Sequence, residues 1–255
     1  MSGALTIARR EVGAYFQTPV GWVVLTAFLV LNGFFFSTMI GLYHYESLQL
    51  AASPWTTQEM NVNDYLVAPF FANTGVILLF LCPAVTMRLL AEDRRSGAFE
   101  LLLTSPVSSA AIVLGKYLGA MGFVSVMLAG TMPCLGIVFW LGDPDPGVVA
   151  AGYLASWLLS GAFVSVGLLA SAFTRSQVIA LVVGFALLLL FWVLTWADPS
   201  SGEGVGAIIA SLSMLNHLEN LTRGLLHVED LVYYASFISF FLFATWQRVE
   251  SGRWA

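Results

Sequence analysis

The sequence predicts an all-α integral membrane protein with six transmembrane helices, and two observations support that fold class. Of the 255 residues, 58% are hydrophobic and only 10% are charged, whereas about 25% are charged in a typical soluble domain. A soluble chain of this length could not bury so much apolar surface, so lipid is expected to surround most of it. The apolar residues also form long stretches, separated by short segments that carry most of the charge.

Six stretches have the length and composition of transmembrane helices. The predicted spans are residues 20–43, 70–90, 117–141, 148–173, 177–197 and 231–246. At ~1.5 Å per residue the first would reach about 36 Å, enough to cross a ~30 Å hydrocarbon core with some tilt. The sixth is the shortest. Pro83 and Pro133 are expected to kink their spans, because proline removes a helical hydrogen bond.

The distribution of basic residues predicts the orientation. If the amino terminus is cytoplasmic, nine of the ten Lys and Arg residues lie in cytoplasmic segments or at their borders, and only Arg223 lies outside. Ten of the fifteen acidic residues then lie outside. Cytoplasmic loops of membrane proteins carry an excess of Lys and Arg, so both termini are predicted to be cytoplasmic.

Residues 1–19 precede the first span and have an amphipathic pattern. Apolar residues recur near helical spacing at Leu5, Ile7, Ala8, Val12, Tyr15 and Phe16. Arg9, Arg10 and Glu11 cluster on the other side. The pattern predicts a helix that lies along the cytoplasmic interface and ends at Pro19. A frayed cytoplasmic tail is the alternative interpretation.

Spans three and four are rich in small residues, and an interrupted apolar segment follows span five. Gly115, Gly119 and Gly122 lie near the start of the third span, and serines and glycines recur at four-residue spacing in the fourth. Such small residues let helices approach closely.

Residues 198–230 are too apolar for a free loop and too interrupted for a span, so extracytoplasmic re-entrant helices are predicted. His217 and His227 are interpreted as interfacial polar residues, and neither a metal site nor a disulfide is expected.

The segment 91–116, between spans two and three, holds the densest charge in the chain. Glu92, Asp93, Arg94 and Arg95 precede an amphipathic run, residues 96–103, in which Phe99 and two leucines lie near one face. Ser105 is expected to cap the next helix, with proline at its first position. The segment is either a short helix exposing apolar groups to a docking partner or a tight connector with a solvated charge run. The residues alone leave both interpretations open.

The sequence lacks the motifs that several kinds of chemistry require. The chain has no G-x-x-x-x-G-K-[ST] phosphate loop, no H-E-x-x-H and no G-x-S-x-G, and charged residues are nearly absent from the middle of the predicted spans. These absences argue against an ATP site in this chain, an ion-coupled transporter and an intramembrane enzyme. Energy for any transport is expected to come from a partner, and no nucleic-acid partner is expected.

Three motifs carry a resemblance to a known family. They are "AEDRRSG", the "FELLLTSPVS" that follows, and "GKYL" at the start of the third span. With the six-span pattern they resemble the permease subunits of type-2 ABC exporters, and within these the branch of gliding-motility-associated permeases. The resemblance covers nearly the whole chain.

The resemblance implies partners, location and mechanism. Two copies of a separate ATP-binding cassette ATPase would carry the ATP and magnesium, so this chain would bind no cofactor. A second permease copy or homologue would complete the transporter, and an auxiliary membrane subunit with an extracytoplasmic domain is a further implied partner. The location would be the bacterial cytoplasmic (inner) membrane. The alternative function is a membrane scaffold of a motility or secretion complex without its own translocation path.

The resemblance also implies a role for particular residues. The segment 91–116 would be the coupling segment that docks on the ATPase, and residues 1–19 would form an interfacial helix that also touches it. Carried over by position, the coupling residues are Glu92, Arg94, Arg95, Gly97, Phe99, Glu100, Leu101, Leu102, Thr104 and Pro106. On the interfacial helix the corresponding residues are Arg9, Arg10 and Glu11.

Overall fold

The computed structural model describes residues 2–52, 61–99, 107–193, 213–225 and 227–252. These residues form helices joined by short turns, with no strand among them, which confirms the all-α prediction. Five stretches are long and apolar enough to cross a membrane: Pro19–Leu50, Asn63–Ser96, Ser109–Leu141, Pro146–Ala172 and Val228–Ser251. The fifth of the six predicted spans is described over Gln177–Val193, and its predicted remainder lies outside the described residues. The count of six stays a prediction.

The first two helices meet at a very tight turn. Helix α1 is Ser2–Gln17, and α2 is Pro19–Ala52, which extends well beyond the predicted end of the first span at residue 43. A Cβ atom at Gly21 would lie 1.9 Å from the carbonyl oxygen of Tyr15. Glycine at this position therefore allows α1 to fold back against the start of α2.

The second predicted span is a helix followed by a turn and a short second helix. A π-helical turn, Asn63–Val67, leads into α3, Ala68–Thr86, so the helix ends before residue 90. After a turn over residues 87–90, α4 covers Ala91–Ser96. Gly97 ends α4 with a φ of 77°, a left-handed conformation that glycine adopts without steric cost.

The third predicted span begins earlier than expected and is divided in two. Helix α5 is Ser109–Ala129, and its N-cap is Ser108, whose Oγ accepts a hydrogen bond from the backbone N–H of Ala111 at 3.3 Å. The prediction that Ser105 caps this helix is wrong, since the N-cap is Ser108. Helix α6, Met132–Leu141, has its proline in the first turn, where no helical N–H donor is needed. The break lies close to Pro133, as predicted.

Among the five candidate spans of the described residues, α7, Pro146–Ala172, is the most deeply buried. It packs against α3, α5 and α8 (Gln177–Val193), and against α9 (Met214–Thr222) and α10 (Val228–Ser251). A Cβ atom at Gly152 would lie 2.1 Å from the Phe71 ring, and one at Gly167 would lie 2.0 Å from Thr86 Oγ1. The predicted close packing through small residues is present here.

Part of the segment predicted as re-entrant forms the short helix α9. Its Met214, Leu218 and Leu221 are buried, while residues 198–212 lie outside the described part of the chain. His217 Nδ1 lies 2.5 Å from Asp230 Oδ1 at the start of α10. Among the described residues no group of three or more His, Cys, Asp or Glu could hold a metal ion.

Candidate functional site

The start of the charged segment is fixed to the end of the central helix by one serine. The backbone N–H groups of Leu90 and Ala91 donate to Ser171 Oγ at 3.0 and 2.9 Å. The same hydroxyl donates to the carbonyl oxygen of Met87 at 3.1 Å. Ser171 is fully buried, so these bonds hold the turn after α3 against α7 without competition from water.

Three elements that are distant in sequence meet at a buried lysine. Lys116 lies in α5 with 1% of its surface exposed. Its Nζ lies 3.0 Å from Oε1 of Glu11 on α1 and 2.6 Å from Oδ2 of Asp93 on α4. The contact with Glu11 is a hydrogen-bonded ion pair, whereas that with Asp93 is an ion pair without hydrogen-bond geometry. We call Glu11, Asp93 and Lys116 the buried charge cluster.

The electrostatics of Glu11 follow from its surroundings. Burial by itself raises the pKa of a carboxyl group, but the positive charge of Lys116 and its hydrogen bond oppose that effect, with a smaller contribution from Arg10. The net result is that the pKa of Glu11 lies below its ordinary value. Glu11 is therefore a carboxylate at neutral pH, although it is buried.

Three glycines of α5 bring α1 close enough to form the buried charge cluster. A Cβ atom at Gly115 would lie 2.7 Å from Ile7 Cβ, and one at Gly119 would lie 2.5 Å from Glu11 Cβ. At Gly122 the nearest atom is a methyl group of Val12, at 2.9 Å. The glycines predicted to allow close helix packing thus form the surface of α5 that contacts α1.

The end of α1 is attached to the end of α3 by an aromatic and cationic contact. The Tyr15 hydroxyl donates to the carbonyl oxygen of Val85 at 2.8 Å. The guanidinium carbon of Arg88 lies 4.1 Å from the centre of the Tyr15 ring, and its Nη1 donates to Thr18 Oγ1 at 3.0 Å. Desolvated cation–π contacts of this kind stabilise by up to about 2 kcal/mol.

The predicted residues of α1 divide between its two faces. Arg9 and Arg10 are exposed, as the amphipathic pattern predicts, and Arg10 Nη2 reaches Glu11 Oε1 at 3.0 Å. The prediction that Glu11 shares their polar face is wrong, because Glu11 is buried against α5. Leu5, predicted on the apolar face, is exposed.

The predicted coupling residues that the structure describes occupy different environments. Glu92 and Arg95 are exposed on α4, and Gly97 ends that helix. Phe99 is 8% exposed, with the guanidinium carbon of Arg94 4.6 Å from its ring centre. The expectation that Phe99 is exposed to a docking partner is therefore wrong. Glu100, Leu101, Leu102, Thr104 and Pro106 lie outside the described residues.

Asp93 and Lys116 were absent from the predicted site residues. Lys116 is the only lysine in the chain, and it lies among glycines at the start of an apolar helix. An isolated cation beside a stripe of small residues indicates a buried acidic partner, and this feature of the sequence could have identified Lys116 as a site residue. Its pairing with Glu11, 105 residues away, could not be read from spacing.

The fold and this site define a multi-pass helical membrane protein in which α1, α4 and α5 are joined at a buried lysine. The model of the ABC-2 family transporter proteins matches residues 5–251, and the chain belongs to that family. Comparison with curated proteins gave no match. Family membership makes the chain a membrane permease component of an ABC transporter and implies pairing with an ATP-binding cassette subunit. It confirms the resemblance at this level, while the gliding-motility branch stays a prediction.

Proposed function

We propose that this chain is the permease subunit of an exporter driven by a separate ATPase that docks on the charged segment and on α1. The observation that carries the proposal is the buried charge cluster, because Lys116 joins α1, α4 and α5 at one point. A docking partner that moves α4 must then move α1 and α5 with it. Rigid-body movement of connected elements is how such a displacement can reach the transmembrane helices.

The surfaces proposed for docking are the exposed groups next to this cluster. Glu92 and Arg95 on α4, with Arg9 and Arg10 on α1, are exposed charged residues of the coupling set. Phe99 acts in this proposal by packing inside the segment and holding Arg94, not by direct contact. Exposed charges at an interface mainly steer association and select the partner.

The orientation and the composition of the complex belong to the same proposal. With both termini and the charged segment in the cytoplasm, the ATPase meets them on the side where ATP is available. The complex would contain two ATPase subunits, which bind ATP and magnesium, and a second permease copy or homologue in the bacterial inner membrane. An auxiliary subunit with an extracytoplasmic domain is the further component proposed from the gliding-type resemblance. The chain itself is proposed to be non-enzymatic.

The proposed substrate class is lipidic, amphipathic or peptide-like. Few charged side chains lie in the predicted spans, which disfavours a small ion. At the end of the bundle away from the charged segment, a cavity of about 490 Å³ lies between the start of α3 and α9. Its lining is mainly apolar, with Asp64, Glu219 and Arg223 among its polar groups, as an amphipathic ligand requires.

The docking proposal can be tested with exposed charges, which do not disturb the core. We expect the double variant Glu92→Arg/Arg95→Glu to retain its melting temperature in detergent and to lose co-purifying ATP hydrolysis about tenfold or more, because reversed charges repel the partner. The control is Glu46→Arg, which reverses one exposed charge on α2, outside the proposed docking surfaces and the cavity. ATPase retention by the first variant, or equal loss in the control, would contradict docking on α4.

A transport assay distinguishes the proposed exporter function from the alternative of a membrane scaffold. Proteoliposomes containing the purified complex should accumulate or release a labelled amphipathic peptide or lipid only when ATP is hydrolysed. Hydrolysis without movement of any tested substrate would favour a scaffold of a motility or secretion complex.

A further inference from the structure

Three arginines from separate parts of the chain lie beside the end of α7. Arg94 lies on α4, whose first residue is bound to Ser171. Arg175 lies in the turn that follows α7. Arg248 lies in the last turn of α10, and its guanidinium carbon is 5.4 Å from the centre of the Phe173 ring. Arg94 is therefore within one helical turn of the residue bound by Ser171, and Arg175 follows Ser171 by four residues.

No acidic side chain compensates these three charges in the described part of the chain. Neither Arg94, Arg175 nor Arg248 forms an ion pair with any described residue. The Nε atoms of Arg94 and Arg248 are buried and have no hydrogen-bond partner there. Grouped cations without a counter-charge are unfavourable, and an anion among them removes that repulsion.

The surface next to the three arginines is apolar. Phe173, whose ring contacts the guanidinium group of Arg248, is 63% exposed. Val178 in the first turn of α8 is 70% exposed. Ile179 and Val182 continue this exposed apolar surface along α8. In a membrane-spanning chain, cations beside an outward-facing apolar helix lie where phospholipid headgroups meet acyl chains.

We propose that Arg94, Arg175 and Arg248 form a binding site for the phosphate of an anionic phospholipid, with its acyl chains on Phe173 and the exposed face of α8. Arginine suits this ligand because its planar guanidinium can donate two parallel hydrogen bonds to phosphate oxygens. The bound lipid joins α4 to the ends of α7 and α10. The site is distinct from the buried charge cluster, whose lysine already has two carboxylate partners.

A protein partner with acidic side chains is the competing ligand for such cations. The apolar surroundings favour the lipid, since an acidic protein surface has no need for the exposed phenyl and aliphatic groups beside the arginines. The two ligands also differ in what they require, because the lipid binds the purified chain in the absence of any ATPase. The proposal can therefore fail or succeed independently of the proposed function.

The test is native mass spectrometry of the full chain in detergent, titrated with equal amounts of phosphatidylglycerol and phosphatidylcholine of matched acyl chains. We expect the wild type to retain one phosphatidylglycerol in preference. Each of Arg94→Gln, Arg175→Gln and Arg248→Gln should lower that preference about fivefold. Arg9→Gln is the matched control, since it removes one exposed charge elsewhere, and it should leave the preference unchanged. Arg175→Lys should retain most of it.

Four results would overturn the proposal. The first two are equal binding of the two lipids by the wild type and a loss of lipid preference in Arg9→Gln as large as in the arginine variants. The third is displacement of phosphatidylglycerol by millimolar inorganic phosphate. The fourth is that the arginine variants no longer bind the ATPase subunit but keep the lipid preference. The last would assign the arginines to an acidic partner surface. Arg175 is exposed in a turn, so its substitution is expected to preserve the fold, and a melting measurement in the same detergent verifies this.

Discussion

The ammonium group of Lys116 lies 3.0 Å from the carboxylate of Glu11, although 105 residues separate them. Asp93 approaches the same ammonium from α4 at 2.6 Å. A buried ion pair contributes little net stability, because removing its charges from water costs about as much as their attraction returns. We infer that its effect here is positional, because the lysine joins α1, α4 and α5.

Removing the lysine leaves a buried carboxylate, Glu11, and a partly buried one, Asp93, without their counter-ion. We expect Lys116→Met to destabilise the protein by about 3–5 kcal/mol, the usual cost of breaking a buried ion pair from one side. The measurement is thermal unfolding of the purified chain in detergent. Neutralising the acids as well, in Lys116→Met with Glu11→Gln and Asp93→Asn, should recover most of the loss. A triple variant no more stable than the single one would show that the charges are not the cause.

The pH dependence of stability follows from the lowered pKa of Glu11. A carboxyl whose folded-state pKa lies below its ordinary value of 4.5 stabilises the fold fully above about that pH, and the contribution disappears as the pH falls through the folded-state pKa. The melting temperature of the wild type should therefore exceed that of Glu11→Gln at neutral pH, and the difference should shrink below pH 4.5. Arg10→Gln is the control, because Arg10 has the smaller effect on this group. A difference that stays constant with pH would exclude this role for Glu11.

The close approach of α1 depends on glycine at position 119. In Gly119→Ala the added methyl would lie 2.5 Å from Glu11 Cβ and 3.2 Å from the Ala8 carbonyl oxygen, so α1 must move. We expect a loss of about 1–3 kcal/mol in thermal unfolding. The matched control is Gly33→Ala in α2, where no atom beyond the adjoining backbone of α2 lies within 4 Å of the new methyl. That control should be neutral or stabilising by up to about 1 kcal/mol, and identical effects of the two substitutions would contradict the packing argument.

Ser171 supplies the acceptor for two buried backbone N–H groups. Ser171→Ala leaves Leu90 and Ala91 without that acceptor, and each unsatisfied donor costs about 1–3 kcal/mol. Hydrogen exchange at residues 90 and 91 should accelerate, with a lower melting temperature. In the control Ser165→Ala, the hydroxyl lost is bound only to a carbonyl of its own helix, and exchange at 90 and 91 should not change. Unchanged exchange in Ser171→Ala would contradict its anchoring role.

The predicted orientation can be measured with two exposed arginines. In a background with Cys82→Ala and Cys134→Ser, we expect Arg223→Cys in intact cells to react with an impermeant maleimide. Arg95→Cys should react only after the membrane is opened, because the basic residues on its side are expected to be cytoplasmic. Both side chains are exposed, so burial does not explain a difference. Labelling of both in intact cells, or the reverse pattern, would refute the predicted topology.

Local patterns predicted much of the architecture because they depend on residues close in sequence. The apolar stretches predicted the long helices, the pattern of residues 1–19 predicted α1, and Pro133 predicted the break in the third predicted span. Predictions of helix ends were less accurate, as at Ser108, since several serines near Ser105 could supply a cap. The wrong side was predicted for Glu11 because helical periodicity favours placing charge in water, and only a partner such as Lys116 makes its burial acceptable.

The amino-acid sequence by itself determined that the chain is helical and apolar enough for a membrane, and that its charge is concentrated in α1 and the segment after α3. Composition and periodicity are sufficient for these conclusions because they act along the chain. Only the tertiary structure decided that Glu11, Asp93 and Lys116 meet, that Ser171 anchors the charged segment, and that Phe99 is buried. These contacts join residues that are distant in sequence, so they exist only when the glycine-lined helices have packed together.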